Sequence, residues 1–217
     1  MKTTQREAVS AVHRNAILDA AGQLFTEQGL DRTTMDEVSR AAGYSKRTVY
    51  AYFPSKEELH QHLVLRGMRR LRELLDDIAG RRAPFRESYG EICLALDAFY
   101  REEPLYFTGI LGVIRLPDAI EPSPEPAAVV VSELFAEGEA VNGIIAGLLE
   151  RGIAEGALRS DLALLPTVFV LWSSLTGLIQ LAHNKASYIE HAMGLRTEEF
   201  LRSGFDLLYR TIAAKGE

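Results

Sequence analysis

Cysteine is almost absent from this sequence, since Cys93 is the only one among 217 residues. A single thiol can form neither an internal disulfide nor a thiolate-ligated metal cluster, so both are excluded. Cys93 lies within an apolar helical pattern that also contains Ile92, Leu96 and Phe99. This pattern favours a buried core position over a redox-sensing one.

The N-terminus lacks the apolar segment of a secretion signal. It reads MKTTQREAVSAVHRN, which contains no apolar core region. We therefore expect a cytoplasmic protein.

Charged residues are missing from one long stretch, residues 162–182, which is long enough in principle to span a bilayer. The stretch nevertheless contains Pro166, Thr176 and Gln180, and neither a basic cluster nor an aromatic belt flanks it. A helix that is apolar on nearly all sides is also typical of a protein core or a subunit interface. We expect such a buried helix and no membrane association.

Motifs for catalysis and metal binding are also missing. The sequence has no nucleophile elbow, no phosphate-binding glycine loop and no zinc-ligand spacing. Glu57 and His60 form one Glu-x-x-His motif, but a di-iron bundle needs two such motifs and two further glutamates. The sequence therefore predicts no catalytic residue, no metal site and no cofactor, and a helical-bundle enzyme is the least favoured function.

The most informative segment is residues 33–56, TTMDEVSRAAGYSKRTVYAYFPSK, which predicts two short helices joined by a tight turn. Thr34 and Glu37 have the spacing of a capping box, which places a helix start directly after Thr34. Gly43 suits a left-handed C-terminal cap, and Ser45 suits the N-cap of the next helix. Two helices joined in this way form a helix-turn-helix, whose second helix enters the DNA major groove.

The charge pattern supports contact with DNA. No acidic residue lies between Glu37 and Glu57, whereas that window contains four cationic side chains. Charges balance over residues 1–60, so the net charge of −6 resides in residues 61–217. An acid-free window suits a surface that faces phosphates, and an acidic body suits a sensor domain held away from DNA. An ordinary helical hairpin with a solvated basic face is the alternative.

Further residues at fixed spacing extend this unit on both sides. They are Phe25-Thr-Glu-Gln-Gly29, Thr33-Thr34, Val38, Ala42-Gly43, Ser45, Thr48-Val49-Tyr50, Tyr52-Phe53 and Ser55-Lys56-Glu57-Glu58-Leu59. This set closely resembles the N-terminal domain of the TetR (tetracycline-repressor-like) family of bacterial transcription regulators over residues 12–60. Three positions differ from the usual family residue, with Ser39 in place of Ala, Tyr44 in place of Val and Val49 in place of Leu.

Side-chain chemistry predicts the DNA contacts. Lys46 and Arg47 at the start of the recognition helix can donate hydrogen bonds to guanine O6 and N7, and Thr48 offers a hydroxyl and a methyl group. Thr34 and Ser45 lie at helix N-termini, where hydroxyl and backbone N–H groups meet phosphate.

The resemblance implies additional contacts to the DNA backbone from Tyr50, Tyr52 and Lys56. Tyr44 begins the recognition segment and is a further candidate. Packing against the first helix is the alternative role for the three tyrosines.

The rest of the chain reads as helices, and no stretch alternates in the manner of a strand. The predicted helices cover residues 56–78, 85–102, 104–115, 127–151, 162–184 and 197–214, with a proline-dense loop at 117–126. We therefore predict an all-α protein with an N-terminal three-helix helix-turn-helix DNA-binding domain and a C-terminal helical ligand-binding and dimerisation domain. The boundary is expected between residues 55 and 56.

The resemblance implies that the last two helices of each chain form a four-helix bundle in a homodimer. The apolar and small residues of helices 162–184 and 197–214 support this interface, although the core of a monomer is the alternative. These residues are Ser174, Gly177, Phe200, Leu201, Gly204, Phe205, Leu207, Leu208 and Ile212.

A small-molecule site would need an apolar cleft with a few polar groups. An aromatic stripe at helical spacing is also compatible with plain core packing. The candidate lining residues are Phe99, Tyr106, Phe107, Ile110, Ile114, Asn142, Trp172, Ile179 and His183.

These observations predict a homodimeric one-component transcription regulator that binds double-stranded DNA at a palindromic operator. We expect a repressor that an unknown small-molecule effector releases from its operator. The alternative is a ligand-independent DNA-binding adaptor whose C-terminal body binds a protein partner.

Overall fold

The computed structural model describes residues 2–110 and 126–214, which form ten α-helices and no strand. The predicted all-α class is confirmed. The helices are α1 (Lys2–Gln28), α2 (Met35–Ala42), α3 (Lys46–Tyr52), α4 (Lys56–Gly80), α5 (Phe85–Glu102), α6 (Pro104–Ile110), α7 (Pro126–Ala154), α8 (Leu164–Asn184), α9 (Ala186–Met193) and α10 (Thr197–Ile212).

The chain divides into two compact units. The first contains the described residues of Met1–Arg69 and Glu103–Glu137. Its α1, α2 and α3 enclose an apolar core that includes the fully buried side chains of Ile17, Val38 and Phe53. Helices of seven and eight residues are marginal alone, so this shared core is what stabilises α2 and α3.

The second unit contains the described residues of Arg70–Glu102 and Gly138–Glu217. Within it α8 packs against both α5 and α10. Gly204 of α10 lies close to α8, because a Cβ at this position would be 2.5 Å from Cδ2 of Leu178. The small residue predicted at this crossing therefore serves a contact within one chain.

Most predicted helix boundaries are close to the observed ones, but two helices differ in an informative way. Helix α7 continues through Gly138, Gly143 and Gly147 to Ala154 without a break. Helix α9 was not predicted, and no side chain caps its N-terminus. The predicted helix 104–115 is described as far as Ile110.

The predicted loop 117–126 lies outside the described residues except for Pro126, which begins α7. Proline is common at the first helical position because its missing N–H would have no partner there.

One helix among the described residues, α8, is long and apolar enough to cross a membrane by length and composition. Only 28% of its most apolar window is buried within the single chain. Core and interface helices of other proteins have the same length and composition.

Candidate functional site

The local chemistry of the helix-turn-helix agrees with the predicted caps. The Thr34 hydroxyl accepts a hydrogen bond from the Glu37 N–H at 3.3 Å, and the Glu37 carboxylate accepts one from the Thr34 N–H at 2.8 Å. Hydrogen bonds to the Glu37 carboxylate, first from the Thr34 side chain and then from its backbone, lower the pKa of Glu37. Gly43 adopts φ 73° and ends α2, and the Ser45 hydroxyl accepts from the Thr48 N–H at 3.2 Å. Both helices of the motif are therefore capped by their own side chains.

The two cations predicted to read bases, Lys46 and Arg47, lie at the start of α3 and differ in their contacts with the rest of the chain. Lys46 forms an ion pair with Asp36 of α2, although both side chains remain more than half exposed. Arg47 is exposed and has no hydrogen bond or ion pair with another described residue. Arg47 is therefore available to a ligand outside the chain, whereas Lys46 is partly neutralised.

The Asp36–Lys46 pair was missed in the sequence because Asp36 lies just outside the acid-free window. The two residues are ten positions apart in sequence, and they meet because the turn places α2 and α3 side by side.

The three tyrosines of the recognition segment have different surroundings. Tyr50 is 47% exposed, so its ring can reach a partner outside the chain. Tyr44 and Tyr52 are half-buried, and both contact His13 of α1. The His13 ring centroid is 5.1 Å from that of Tyr44, and His13 Nδ1 is 3.4 Å from the Tyr52 hydroxyl. His13 is thus a functional candidate that the sequence analysis did not identify.

The structure gives Lys56 a different role from the predicted phosphate contact. Its ammonium donates to the backbone carbonyls of Leu30, Asp31 and Thr33, at 2.9, 3.1 and 3.4 Å. An ammonium has three N–H donors, and in the free protein these three carbonyls engage all of them. Lys56 ties the start of α4 to the loop between α1 and α2.

Two of the predicted effector residues, Tyr106 and Phe107, are engaged in the packing of the first unit. Tyr106 accepts a hydrogen bond from Arg66 Nε at 2.8 Å, and Arg66 also donates to Asp19 at 2.6 Å. Phe107 is buried in the same unit. Ile114 lies outside the described residues, as does the side chain of Ile110.

The second unit contains the other predicted effector residues, and most of them are also engaged in packing or local bonds. His183 Nε2 is 2.6 Å from a carboxylate oxygen of Asp97. Asn142 donates to Glu139 at 3.3 Å, whereas Phe99 and Ile179 are buried in the core.

Helices α5, α7 and α8 line an apolar cavity in the second unit that is partly open to solvent. Its empty volume is about 450 Å³, including the part open to solvent. Of the predicted residues, only Trp172 lines it. The lining residues are Phe85, Tyr89, Ile92, Leu96, Ile145, Leu148, Leu149, Val168, Leu171, Trp172 and Leu175.

Polar contacts fix one end of this cavity. The backbone N–H of Phe85 donates to the Glu155 carboxylate at 2.9 Å, and Arg151 donates to the Ser88 hydroxyl at 3.1 Å. Arg151 also donates to the backbone carbonyl of Ala79 at 3.2 Å, which joins α7 to the last turn of α4.

Within residues 2–110 and 126–214 no group of three or more His, Cys, Asp or Glu side chains is arranged to hold a metal ion. Cys93 is buried, as predicted, and burial raises the pKa of its thiol to about 12.

Comparison with known proteins identifies the helix-turn-helix. Residues 17–63 match the family described as "Bacterial regulatory proteins, tetR family". The transcriptional repressor KstR2 of Rhodococcus jostii is 30% identical over 155 residues, which cover 69% of this chain and 69% of the repressor.

Solved structures share the fold at lower sequence identity. The TetR-family regulator PfmR of Thermus thermophilus is 22% identical with a TM-score of 0.64, and the match covers 89% of this chain and 97% of PfmR. The SmeT–triclosan complex is 19% identical with a TM-score of 0.66, covering 94% of this chain and 93% of SmeT. With its capped helix-turn-helix, its all-helical second unit and the KstR2 repressor among its relatives, the chain belongs to the TetR family of bacterial transcription regulators.

Proposed function

We propose that this protein is a homodimeric repressor that a small molecule, bound in the α5–α7–α8 cavity, releases from its operator. The observation that carries the proposal is the presence, in one chain, of an exposed recognition helix and of an apolar cavity built by other helices. The relative KstR2 is itself a repressor, which supports the same direction of control.

DNA reading is assigned to the exposed surface of α3. Arg47 is the principal base reader because its guanidinium has no partner among the described residues and can bind guanine with two hydrogen bonds. Lys46 and Thr48 flank it, and Tyr50 reaches the phosphate backbone from the same helix. Thr34 and Ser45 are the N-caps of α2 and α3. The Thr34 hydroxyl and N–H both donate to Glu37, so phosphate would meet the backbone N–H groups of the first helical turns instead.

The dimer is assigned to the outer faces of α8 and α10. An uncharged stripe on α8 contains Phe169, Val170 and Leu181, with the small residues Ser173 and Gly177 between them, and all five are exposed in the single chain. Burial of such a stripe against a second copy removes apolar area from water and permits close helix approach.

The neighbouring helix supplies a matching stripe. Ser203, Leu207 and Thr211 of α10 are exposed and uncharged, and Leu207 is 66% exposed. Helices α8 and α10 of two copies would thus form the four-helix interface.

Coupling between ligand and DNA is assigned to α7 and α4. Leu148 and Leu149 of α7 line the cavity, and Arg151 in the next half-turn bonds to Ala79 in the last turn of α4. Helix α4 runs from Lys56 to Gly80 and begins directly after the helix-turn-helix. A ligand that displaces α7 would therefore bias the position of α4 and the spacing of the two recognition helices, which must match about 34–36 Å of DNA.

The proposal is tested by mapping the genomic sites that the protein occupies and measuring its affinity for the site found. Arg47→Ala should weaken specific binding by ~1–3 kcal/mol and relax base preference at one position of each half-site. Arg202→Ala, which removes an exposed arginine from α10, is the control and should leave binding unchanged. Equal losses on operator and random DNA would show that Arg47 contacts phosphate only.

Operator binding that no small molecule alters would instead favour the adaptor function, in which the second unit binds a protein partner. That partner would then be identified as a protein that the full chain captures in a pull-down and that variants in exposed α8 residues fail to capture.

A further inference from the structure

The cavity between α5, α7 and α8 is chemically uniform. All eleven lining residues are aliphatic or aromatic, and only Tyr89 and Trp172 carry a side-chain group that can form a hydrogen bond. The Tyr89 hydroxyl donates to the backbone carbonyl of Phe205 at 2.9 Å, so its donor is already used. Burial raises the pKa of Tyr89, which keeps this hydroxyl neutral.

Charged groups do not line the cavity. Arg151 and Glu155 lie at one end of it, where Glu155 accepts from the backbone N–H of Phe85 and Arg151 donates to Ser88 and Ala79, while Arg151 Nε has no hydrogen-bond partner among the described residues.

Two further charged groups, on α5, are paired. Arg86 donates to Asp206 at 2.7 Å, and its guanidinium lies 4.0 Å from the ring centroid of Tyr209. Asp97 pairs with His183 at 2.6 Å and with Arg101 at 3.2 Å. An ionised ligand would therefore meet no counter-charge among the lining residues.

Transfer of an ion from water into such a site is strongly unfavourable unless a partner compensates for the lost hydration. Transfer of an apolar group is favourable in proportion to the area that it buries. Because the lining is apolar, the favourable contribution to binding comes from the apolar area that a ligand buries there.

We propose that the effector is an uncharged, predominantly apolar molecule bound between α5, α7 and α8. This inference rests on the proposed function for its regulatory meaning, but the binding chemistry stands on the lining residues alone. It also leaves no role for His183, which does not line the cavity and whose Nε2 already contacts a carboxylate oxygen of Asp97 at 2.6 Å.

The test compares 1-octanol with octanoate, two probes with the same chain length and different head-group charge. Trp172 is the only tryptophan, so its emission reports on the cavity without interference from another indole. Titration at pH 7.5 should show that octanol binds at least about tenfold more tightly than octanoate, because only octanoate must bury a charge.

Variants at two positions locate the binding site. Ile145→Phe adds volume to a half-buried lining position and should weaken octanol binding at least about tenfold by filling the cavity. Leu94→Phe makes a similar change on the exposed side of α5, where Leu94 is 68% exposed, and should leave binding unchanged. Ile145→Val removes one methylene and should fold normally and still bind octanol. Loss of binding in Ile145→Phe but not in Ile145→Val would then show that the added volume, and not a change at this position as such, prevents binding.

Octanoate affinity equal to or greater than that of octanol overturns the inference, as does octanol binding that Ile145→Phe leaves intact. Absence of octanol binding up to its solubility limit also overturns it. A separate measurement on the mapped operator distinguishes the two proposals. Octanol that binds in the cavity but does not release DNA leaves the ligand class standing and contradicts the coupling in the proposed function.

Discussion

The hydroxyl of Tyr52 lies 3.4 Å from Nδ1 of His13, so a residue from the middle of α1 contacts the last residue of the recognition helix. The same imidazole contacts the ring of Tyr44, at the beginning of the recognition segment. One side chain of α1 therefore touches both ends of the segment that is expected to read DNA.

His13→Ala should weaken operator binding by roughly threefold to tenfold, because Tyr44 and Tyr52 lose the ring that orients them, and one side-chain hydrogen bond contributes about 1 kcal/mol. His191→Ala, an exposed histidine of α9, is the control. Fluorescence anisotropy with labelled operator gives both affinities. An equal effect of the two substitutions would contradict the positioning role, and thermal unfolding of His13→Ala shows whether the loss arises from instability.

Asp36→Asn should strengthen binding to operator and random DNA alike. The substitution frees the Lys46 ammonium and removes a negative charge beside the phosphate-facing surface, so the slope of log K against log salt should steepen by about one. Stability should change by less than about 1 kcal/mol because the pair is exposed. Asp76→Asn is the control and should leave DNA binding unchanged. The Asp76 side chain forms an ion pair within α4 and is 51% exposed, as is that of Asp36. An unaltered slope in Asp36→Asn would contradict the proposed contact of Lys46.

Lys56→Met should lower the free energy of unfolding by about 2 kcal/mol, because three backbone carbonyls lose their charged donor. The salt dependence of DNA binding by the folded variant should stay as in the parent. Lys185→Met, at an exposed lysine after α8, serves as the matched substitution without such contacts. If the slope of log K against log salt becomes shallower by about one in Lys56→Met, then Lys56 does contact phosphate, as predicted from the sequence.

Gly67→Ala should destabilise the first unit by ~1–3 kcal/mol through overpacking. A Cβ on Gly67 of α4 would lie 2.5 Å from Cβ of Tyr106, an atom so near the backbone that α6 itself must shift. Gly143→Ala in α7 meets open space and should instead stabilise the helix by about 0.5–1 kcal/mol. Chemical denaturation of both variants measures the difference, and a stable Gly67→Ala protein would mean that α6 packs less tightly on α4.

Val170→Glu should convert the proposed dimer into monomers at micromolar concentration. Val170 is 61% exposed in the single chain and lies on the uncharged stripe of α8, where a buried carboxylate would have no partner. Leu94→Glu places the same charge on an exposed leucine of α5 and should leave the dimer intact. Sedimentation velocity distinguishes the two species, and a dimer that tolerates Val170→Glu would place the interface elsewhere.

Local sequence chemistry determined much of the fold. The capping box at Thr34 and Glu37, the left-handed Gly43 and the Ser45 cap were all predicted correctly, because each depends on bonds between residues three or four positions apart. Helical periodicity located most of the later helices for the same reason. Helix α9 was not predicted because it is short and has no capping residue that would indicate its start.

Contacts between residues distant in sequence could not be predicted in this way. Composition shows that Lys56 and Lys46 are cations, but only the packed helices direct one ammonium to backbone carbonyls and the other to Asp36. The effector residues show the same limit. An aromatic stripe on a helix does not reveal which of its members face a core and which face a cavity, because that depends on how neighbouring helices are rotated about their axes.

The sequence alone was sufficient for the class of protein, its caps and its recognition helix, since these follow from short-range bonding and from a long pattern of residues at fixed spacing. The cavity between α5, α7 and α8, the contacts of His13 with Tyr44 and Tyr52, and the contact between His183 and Asp97 required the folded chain. Each arises from side chains that are far apart in sequence and become neighbours only when apolar surfaces pack, so no local pattern carries the information.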